Sequence, residues 1–197
     1  MKCFSDSCER NQDPILSVLR DVFSDRKHVL EIGSGTGQHA VYFGRHLPYL
    51  IWQTSELKEN HSSIQAWINE AELSNVRSPI LIDAGHPDWP VKNFDTVFSA
   101  NAVHIMSWPE VERLFQGISR VLDSQGLLCL YGPFNFGGKF SSESNARFDR
   151  WLKDRNPMSG VRDFEALDRL AGQQGLIFVK NVSMPSNNHC LIWTRKA

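Results

Sequence analysis

The stretch Val29-Leu30-Glu31-Ile32-Gly33-Ser34-Gly35-Thr36-Gly37-Gln38-His39 decides how this chain folds. Val29, Leu30 and Ile32 form a short apolar run with β-branched members, the pattern of a buried parallel strand. Gly33, Gly35 and Gly37 then end the strand; lacking a Cβ, they let the backbone turn sharply and a ligand approach it closely. Beyond them Ala40, Val41, Phe43 and Leu47 are spaced for one face of a helix running to about Pro48. A strand, a glycine turn and a helix N-terminus aim unpaired N–H groups at one spot, which suits a nucleotide-like ligand with an anionic end.

The dinucleotide fingerprint needs glycines at the first, third and sixth positions of such a turn. Gly33 and Gly35 fit, but Gln38 holds the sixth position and Gly37 falls one place early. Glu31, two residues before the first glycine, suits an ammonium group or hydroxyls better than a pyrophosphate. An acidic residue followed by Gly-x-Gly-x-Gly resembles the first motif of the class I S-adenosylmethionine-dependent methyltransferases, where the turn holds the methionine end of the cofactor. The alternative is a glycine-rich turn with no ligand.

The 197 residues suit one α/β domain, 1–197, and their 41% hydrophobic and 22% charged content is that of a soluble globular protein. A net charge of -1 gives no overall field toward nucleic acid or anionic membranes, so neither partner is expected. No apolar run is long enough to span a membrane and the N-terminus lacks a signal-peptide core, so the expected location is cytoplasmic. Cys3, Cys8, Cys129 and Cys190 have no metal-site spacing, and no metal is expected; Cys129 and Cys190 fall in apolar strand patterns as small buried hydrophobes. Oligomeric state is not encoded in any recognisable pattern.

Along the chain, Asp13-Pro14 reads as the cap and first position of an amphipathic helix through Phe23, within an N-terminal helical cover of residues 1–26. That helix would carry Arg10 and Asn11 toward the ligand mouth. Leu50 to Ser55 is the second strand and ends at Glu56, about 20 residues past the glycines, where an acid accepts hydrogen bonds from a ribose. Ser55 could share that role. A helix over 61–71, with Ile64, Trp67 and Ile68 inward, precedes a third strand over 79–82 that ends at Asp83-Ala84.

Residues 94–101 form the fourth strand, and polar Asn101 and His104 emerge at its carboxyl end, where open α/β sheets place their ligand sites. A helix with Val111, Leu114, Phe115, Ile118 and Val121 stops near 123–126, and 127–131 is the fifth strand. Residues 134–163 read as inserted loops and a helix over that edge, capped at 141–145, with Phe148, Trp151 and Leu152 buried. Arg155 and Arg162 in these loops could clamp an acidic substrate or form surface ion pairs. A helix over 164–174 and strands over 176–179 and 189–194 complete a Rossmann-like, doubly wound seven-stranded sheet with helices on both faces.

Several motifs are more distinctive: Glu9-Arg10-Asn11 with Asp13-Pro14-Ile15-Leu16, the glycine turn through Ala40, Ser99-Ala100-Asn101, and His104 to Trp108. Tyr131-Gly132-Pro133-Phe134, Ser142 to Asn145 with Phe148-Asp149, and Met184-Pro185 with Asn187-Asn188 complete the set. Together they resemble the methyltransferase-like 26 family, long titled a domain of unknown function. Thr54 and Glu56 stand where that family has Pro and Asp.

The resemblance implies a mostly parallel sheet with an antiparallel last strand and an S-adenosyl-L-methionine cofactor. Glu31, Gly33, Ser34, Gly35 and Gly37 would hold its methionine end, Ser55 and Glu56 the ribose, and Asp83 with Ala84 the adenine. Asn101 and Ala102 would lie beside the reactive methyl, with His104 and Asn101 as the catalytic candidates. Arg10, Asn11, Phe134, Asn145, Arg155 and Asn188 are the candidates for binding a small-molecule acceptor. The function implied is methyl transfer to such an acceptor, and the alternative is a non-catalytic cofactor-binding protein or partner subunit. Asn101-Ala102-Val103-His104 lacks the Asn/Asp-Pro-Pro-aromatic pattern of base amino-group methylation, and Gln38 disfavours a nicotinamide dehydrogenase.

Overall fold

A computed structural model describing residues 1–197 contains nine strands and six α-helices. The strands are β1 (His28–Ile32), β2 (Ile51–Glu56), β3 (Val76–Leu81), β4 (Phe94–Ala100), β5 (Leu122–Gly132), β6 (Phe134–Asn135), β7 (Arg162–Asp163), β8 (Leu176–Met184) and β9 (Asn188–Arg195). The helices are α1 (Asp6–Val22), α2 (Gln38–His46), α3 (His61–Ala71), α4 (Trp108–Val121), α5 (Glu143–Arg155) and α6 (Phe164–Gln173).

Seven strands form the main sheet in the order β3-β2-β1-β4-β5-β9-β8. β9 runs antiparallel to both its neighbours, and the pairs from β3 through β5 are parallel. This is the expected Rossmann-like sheet. One core lies on the α1–α3 face around Phe43, Trp52 and Phe98, and the other lies under α4 and α6 around Phe115 and Trp193. Each such large apolar side chain contributes about 1.5–3 kcal/mol on burial. α4 illustrates how the sequence specifies its elements. Val111, Leu114, Phe115, Ile118 and Val121 make the buried stripe, and a Ser107–Glu110 capping box starts the helix.

Five expectations need correction. α1 begins at Asp6, not at Pro14: the Ser5 hydroxyl accepts from Cys8 N–H, and Pro14 lies inside the helix. Burial of Ile15, Leu16, Val18 and Leu19 offsets the hydrogen bond that Pro14 cannot donate. β3 begins at Val76 and contains Pro79, tolerated because β3 is an edge strand and its register slips there, Gln53 facing Arg77 but Ser55 facing Ile80. β5 starts directly after α4, because the expected turn at 123–126 is a bulge between the Phe94–Leu122 and Thr96–Leu127 pairs. β8 extends to Met184, since β9 supplies a partner along its whole length. Trp151 is exposed rather than buried; it stacks on Phe148 and carries Arg155 over its ring.

Candidate functional site

The site is built at the carboxyl edge of β3-β2-β1-β4-β5. Gly33, Gly35 and Gly37 all adopt left-handed φ values (73°, 56° and 96°), and Gly37 N–H donates to Ser34 O at 2.9 Å to close the turn. Their roles differ. A Cβ on Gly37 would stand 2.8 Å from the Ile64 backbone, so this glycine lets α3 pack. A Cβ on Gly33 would lie 3.4 Å from Ala102 Cβ, so the loop after β4 abuts the turn. Nothing lies within 4 Å of a Cβ on Gly35, which leaves its backbone facing open space where a ligand could approach.

Beneath the turn Glu31 is 2% exposed. Its Oε2 accepts from Ser34 Oγ at 2.7 Å and from Trp52 Nε1 at 3.1 Å. Burial pushes this carboxyl up to about 7 despite the two donors. Ser34 also latches the turn to β2, donating from N–H to Ser55 O and accepting from Ser55 N–H. Ser55 itself is fully buried and donates its hydroxyl to Glu31 O at 2.6 Å, so it braces the turn and does not reach a ribose. Gln38, which only argued against a dinucleotide in the sequence, accepts from Ser5 N–H and Thr36 Oγ1 and ties the start of α1 over the turn.

Sheet order lines up the remaining acids. Glu56 ends β2 and is half-buried, its carboxylate accepting from Leu57 N–H. Asp83, past β3, is exposed and accepts from Gly85 N–H at 2.8 Å; Ala84 beside it is half-buried. Asn101 follows β4 in a left-handed conformation (φ 59°), its N–H donating to Tyr131 O at 2.8 Å. Such a backbone is uncommon outside glycine, though asparagine adopts it more readily than most residues.

His104 is fully buried, and neither ring nitrogen has a hydrogen-bond partner. Burial, reinforced by the Arg162 guanidinium, pushes this imidazole down to about 3. The loop carrying it is fastened by one segment of the insert. Arg162 donates to Val103 O and Met106 O, Gly160 N–H donates to His104 O at 2.9 Å, and Ser159 Oγ donates to Ile105 O at 2.8 Å. Four consecutive carbonyls are thereby satisfied by residues 159–162, and the two-stranded β6–β7 sheet anchors the same segment beside β5. Arg162 is therefore a loop clamp, not a substrate clamp.

The acceptor candidates separate into two groups. Phe134 is fully buried against the His104 ring, with centroids 5.2 Å apart. Asn145 is buried and donates to Ser141 Oγ and Asn187 O, joining α5 to the turn before β9. Arg155 stands exposed over Trp151, and Arg10 is exposed with its guanidinium on Ser7 Oγ. Asn11 Oδ1 lies 2.7 Å from His39 Nε2, and Asn188 Nδ2 donates to Pro185 O at 3.2 Å. A groove of about 310 Å³ between α1, α2 and α3, lined by Phe4, Val41, Tyr42 and Trp67, shares only Gln38 with the turn and is not part of this edge.

The fold is that of known methyltransferases. An O-methyltransferase family protein from Burkholderia thailandensis superposes with a TM-score of 0.85 at 16% identity, over 98% of this chain and 58% of that one. The S-adenosylmethionine-dependent methyltransferase SibL gives 0.83 at 18% identity, over 96% and 56%. Human N-acetylserotonin methyltransferase, solved with S-adenosylmethionine, gives 0.80 at 12% identity, over 98% and 53%. The chain thus spans little more than half the length of these structures, and at such identities the likeness establishes the fold alone. By sequence, a family described as a protein of unknown function (DUF938) matches residues 2–195, and the chain belongs to that family.

Proposed function

We propose that this protein is an S-adenosylmethionine-dependent methyltransferase acting on a small-molecule acceptor, in line with its resemblance to the methyltransferase-like 26 family. The observation that carries the reading is the turn itself: open backbone at Gly35, above a buried acid at Glu31, beside the Asn101–Ala102 loop. Solved proteins of the same fold include methyltransferases bound to S-adenosylmethionine or its demethylated product.

In this reading Glu31 and the turn amides hold the amino-acid end of the cofactor, Glu56 the ribose hydroxyls and Asp83 with Ala84 the adenine. When bound, the cofactor supplies an activated methyl group on a sulfonium. Transfer then needs chiefly alignment and exclusion of water, so fastening the Asn101–His104 loop by residues 159–162 fixes the geometry that matters. His104, neutral throughout the physiological range, is a weak base and acts by orienting a hydrogen-bonding group.

Calorimetric titration with S-adenosylmethionine, S-adenosylhomocysteine and NAD tests the assignment. The expected outcome is binding of the first two and none of NAD. Silence from all three would make the turn purely structural and remove the reading.

A further inference from the structure

Residues 2–5 form a strap that runs from α3 to the start of α1. Two buried side chains join it to the glycine turn. At its outer end Lys2 Nζ meets the Glu70 carboxylate at 2.6 Å and stands 3.6 Å from the centre of the Trp67 ring. Trp67 Nε1 donates to Cys3 O at 2.8 Å, so α3 holds the strap by both side chain and backbone.

The inner contacts are relays. Cys3 N–H donates to Ser63 Oγ at 2.9 Å, and the same hydroxyl donates onward to Thr36 O at 2.9 Å. Ser5 N–H donates to Gln38 Oε1, which also accepts from Thr36 Oγ1 at 3.0 Å, while Gln38 Nε2 donates to Ser5 O at 3.4 Å. Ser63 and Gln38 are each 4% exposed. Removing either side chain therefore strands buried backbone groups on the strap, and Ser63 strands one on the turn as well.

The turn is thus held from two sides. Ser34 fastens it to β1 and β2 through Glu31 and Ser55, and Thr36 fastens it to α3 and the strap. Gly35 lies between these anchors with open space where its Cβ would be. A glycine backbone loses more freedom on ordering than any other. A ligand that meets a turn already set avoids that cost, so the Thr36 anchor bears on affinity without touching the ligand.

We infer that Ser63 and Gln38 are positioning residues that couple docking of the strap to the set of the glycine turn, so that cofactor binding and strap docking strengthen each other. The inference rests on the methyltransferase reading for the ligand, and on the two hydrogen-bond relays for the coupling. Coupling of two equilibria is reciprocal, so a ligand at the turn tightens the strap by the factor by which the docked strap tightens the ligand.

The test uses the full-length, nitrogen-15-labelled protein. The Trp67 indole proton, bonded to Cys3 O, reports strap docking, and its NMR signal is identified by its loss in Trp67→Phe. Its exchange with solvent is measured with and without saturating S-adenosylhomocysteine. The ligand should slow that exchange at least about fivefold. In Ser63→Ala and in Gln38→Leu the slowing should fall below about twofold. Lys2→Glu, set against Glu70, alters neither relay: it should quicken exchange with and without ligand yet keep the fivefold gain, which separates a loosened strap from a broken coupling. Unchanged exchange in the wild type when calorimetry shows the ligand bound, or undiminished slowing in both relay variants, would overturn the inference. If S-adenosylhomocysteine does not bind, the cofactor assignment fails, and the coupling is read instead from the Gly37 amide, whose partner is Ser34 O. Faster exchange of that amide in Lys2→Glu upholds the coupling, and an unchanged rate overturns it.

Discussion

Gly132 and His104 fit together because one lacks what the other needs room for: a Cβ on Gly132 would collide with the imidazole Nε2 and come within 3.2 Å of Asn101 Oδ1. The end of β5 is bare so that the loop after β4 can bury its histidine. Gly132→Ala should lower the unfolding free energy by about 1–3 kcal/mol through overpacking. Urea denaturation measures this. Adding His104→Ala should recover part of the loss, and strictly additive effects would show that the two residues do not share the space.

Gly35 and Gly37 should separate ligand binding from folding. Gly35→Ala meets no atom and bears only the strain of a left-handed backbone, about 1 kcal/mol, while blocking the turn's open face. Its cofactor affinity should fall at least about tenfold, equivalent to 1.4 kcal/mol. Gly37→Ala must instead displace α3 at Ile64 and should cost more stability than Gly35→Ala. Calorimetry alongside thermal denaturation distinguishes the two.

Glu31 should make the ligand-free protein less stable as pH rises. Its folded value is raised from 4.5 to about 7, so between these pH values the folded chain holds a proton that the unfolded chain releases. Its contribution is therefore full below pH 4.5 and is lost as pH climbs through 7. Glu31→Gln should abolish that slope and stabilise the protein at pH 8 by about 1–3 kcal/mol, while weakening cofactor binding. Urea midpoints at pH 5, 6, 7 and 8 check the first effect and calorimetry the second.

His39 and His104 act in the opposite direction. Their folded values, about 4 and about 3, lie below the ordinary 6.5, so the unfolded chain takes up these protons first as pH falls. Stability should drop below pH 6.5 by about 1.4 kcal/mol per pH unit for each histidine, with Glu31 offsetting about one of the two down to its own unfolded value. His104→Gln should flatten the unfolding curve between pH 6.5 and 4.5 by about 1.4 kcal/mol per unit. An unaltered slope would mean that His104 is not buried in its neutral form.

Arg162→Met preserves much of the side chain's bulk but leaves the Val103, Met106 and Met158 carbonyls without their donor. The expected cost is about 1–3 kcal/mol. Hydrogen–deuterium exchange should quicken at Ile105, Gly160 and Val161 and remain unchanged in α1. Uniform quickening would argue against a local clamp.

Much of the candidate site could be proposed from the sequence because its residues are local. Glu31, Gly33, Gly35 and Gly37 sit within seven residues, and Glu56, Asp83 and Asn101 each follow a strand that apolar patterning reveals. Ser55 misled because an accessible hydroxyl and one donated to Glu31 O look the same in sequence. Arg162 misled similarly: a guanidinium in a polar loop suggests an anion, whereas its partners are backbone carbonyls about 56–59 positions away. Pro14 hid the start of α1, because local propensity argues for a helix beginning there while tertiary burial carries it through.

By itself the sequence determined the alternation of elements, the glycine turn, the acids at the strand ends and the near-neutral charge. These follow from periodicity and from the conformational demands of single residues, which act over a few positions. Only the tertiary structure decided which polar side chains stay open. Laying α1 across the sheet sets Asn11 against His39, α5 spends Asn145 on Asn187 O, and residues 159–162 satisfy the loop of His104. Whether a polar group is available to a ligand depends on which hydrogen bonds the fold has already completed, and those partners lie tens of residues away along the chain.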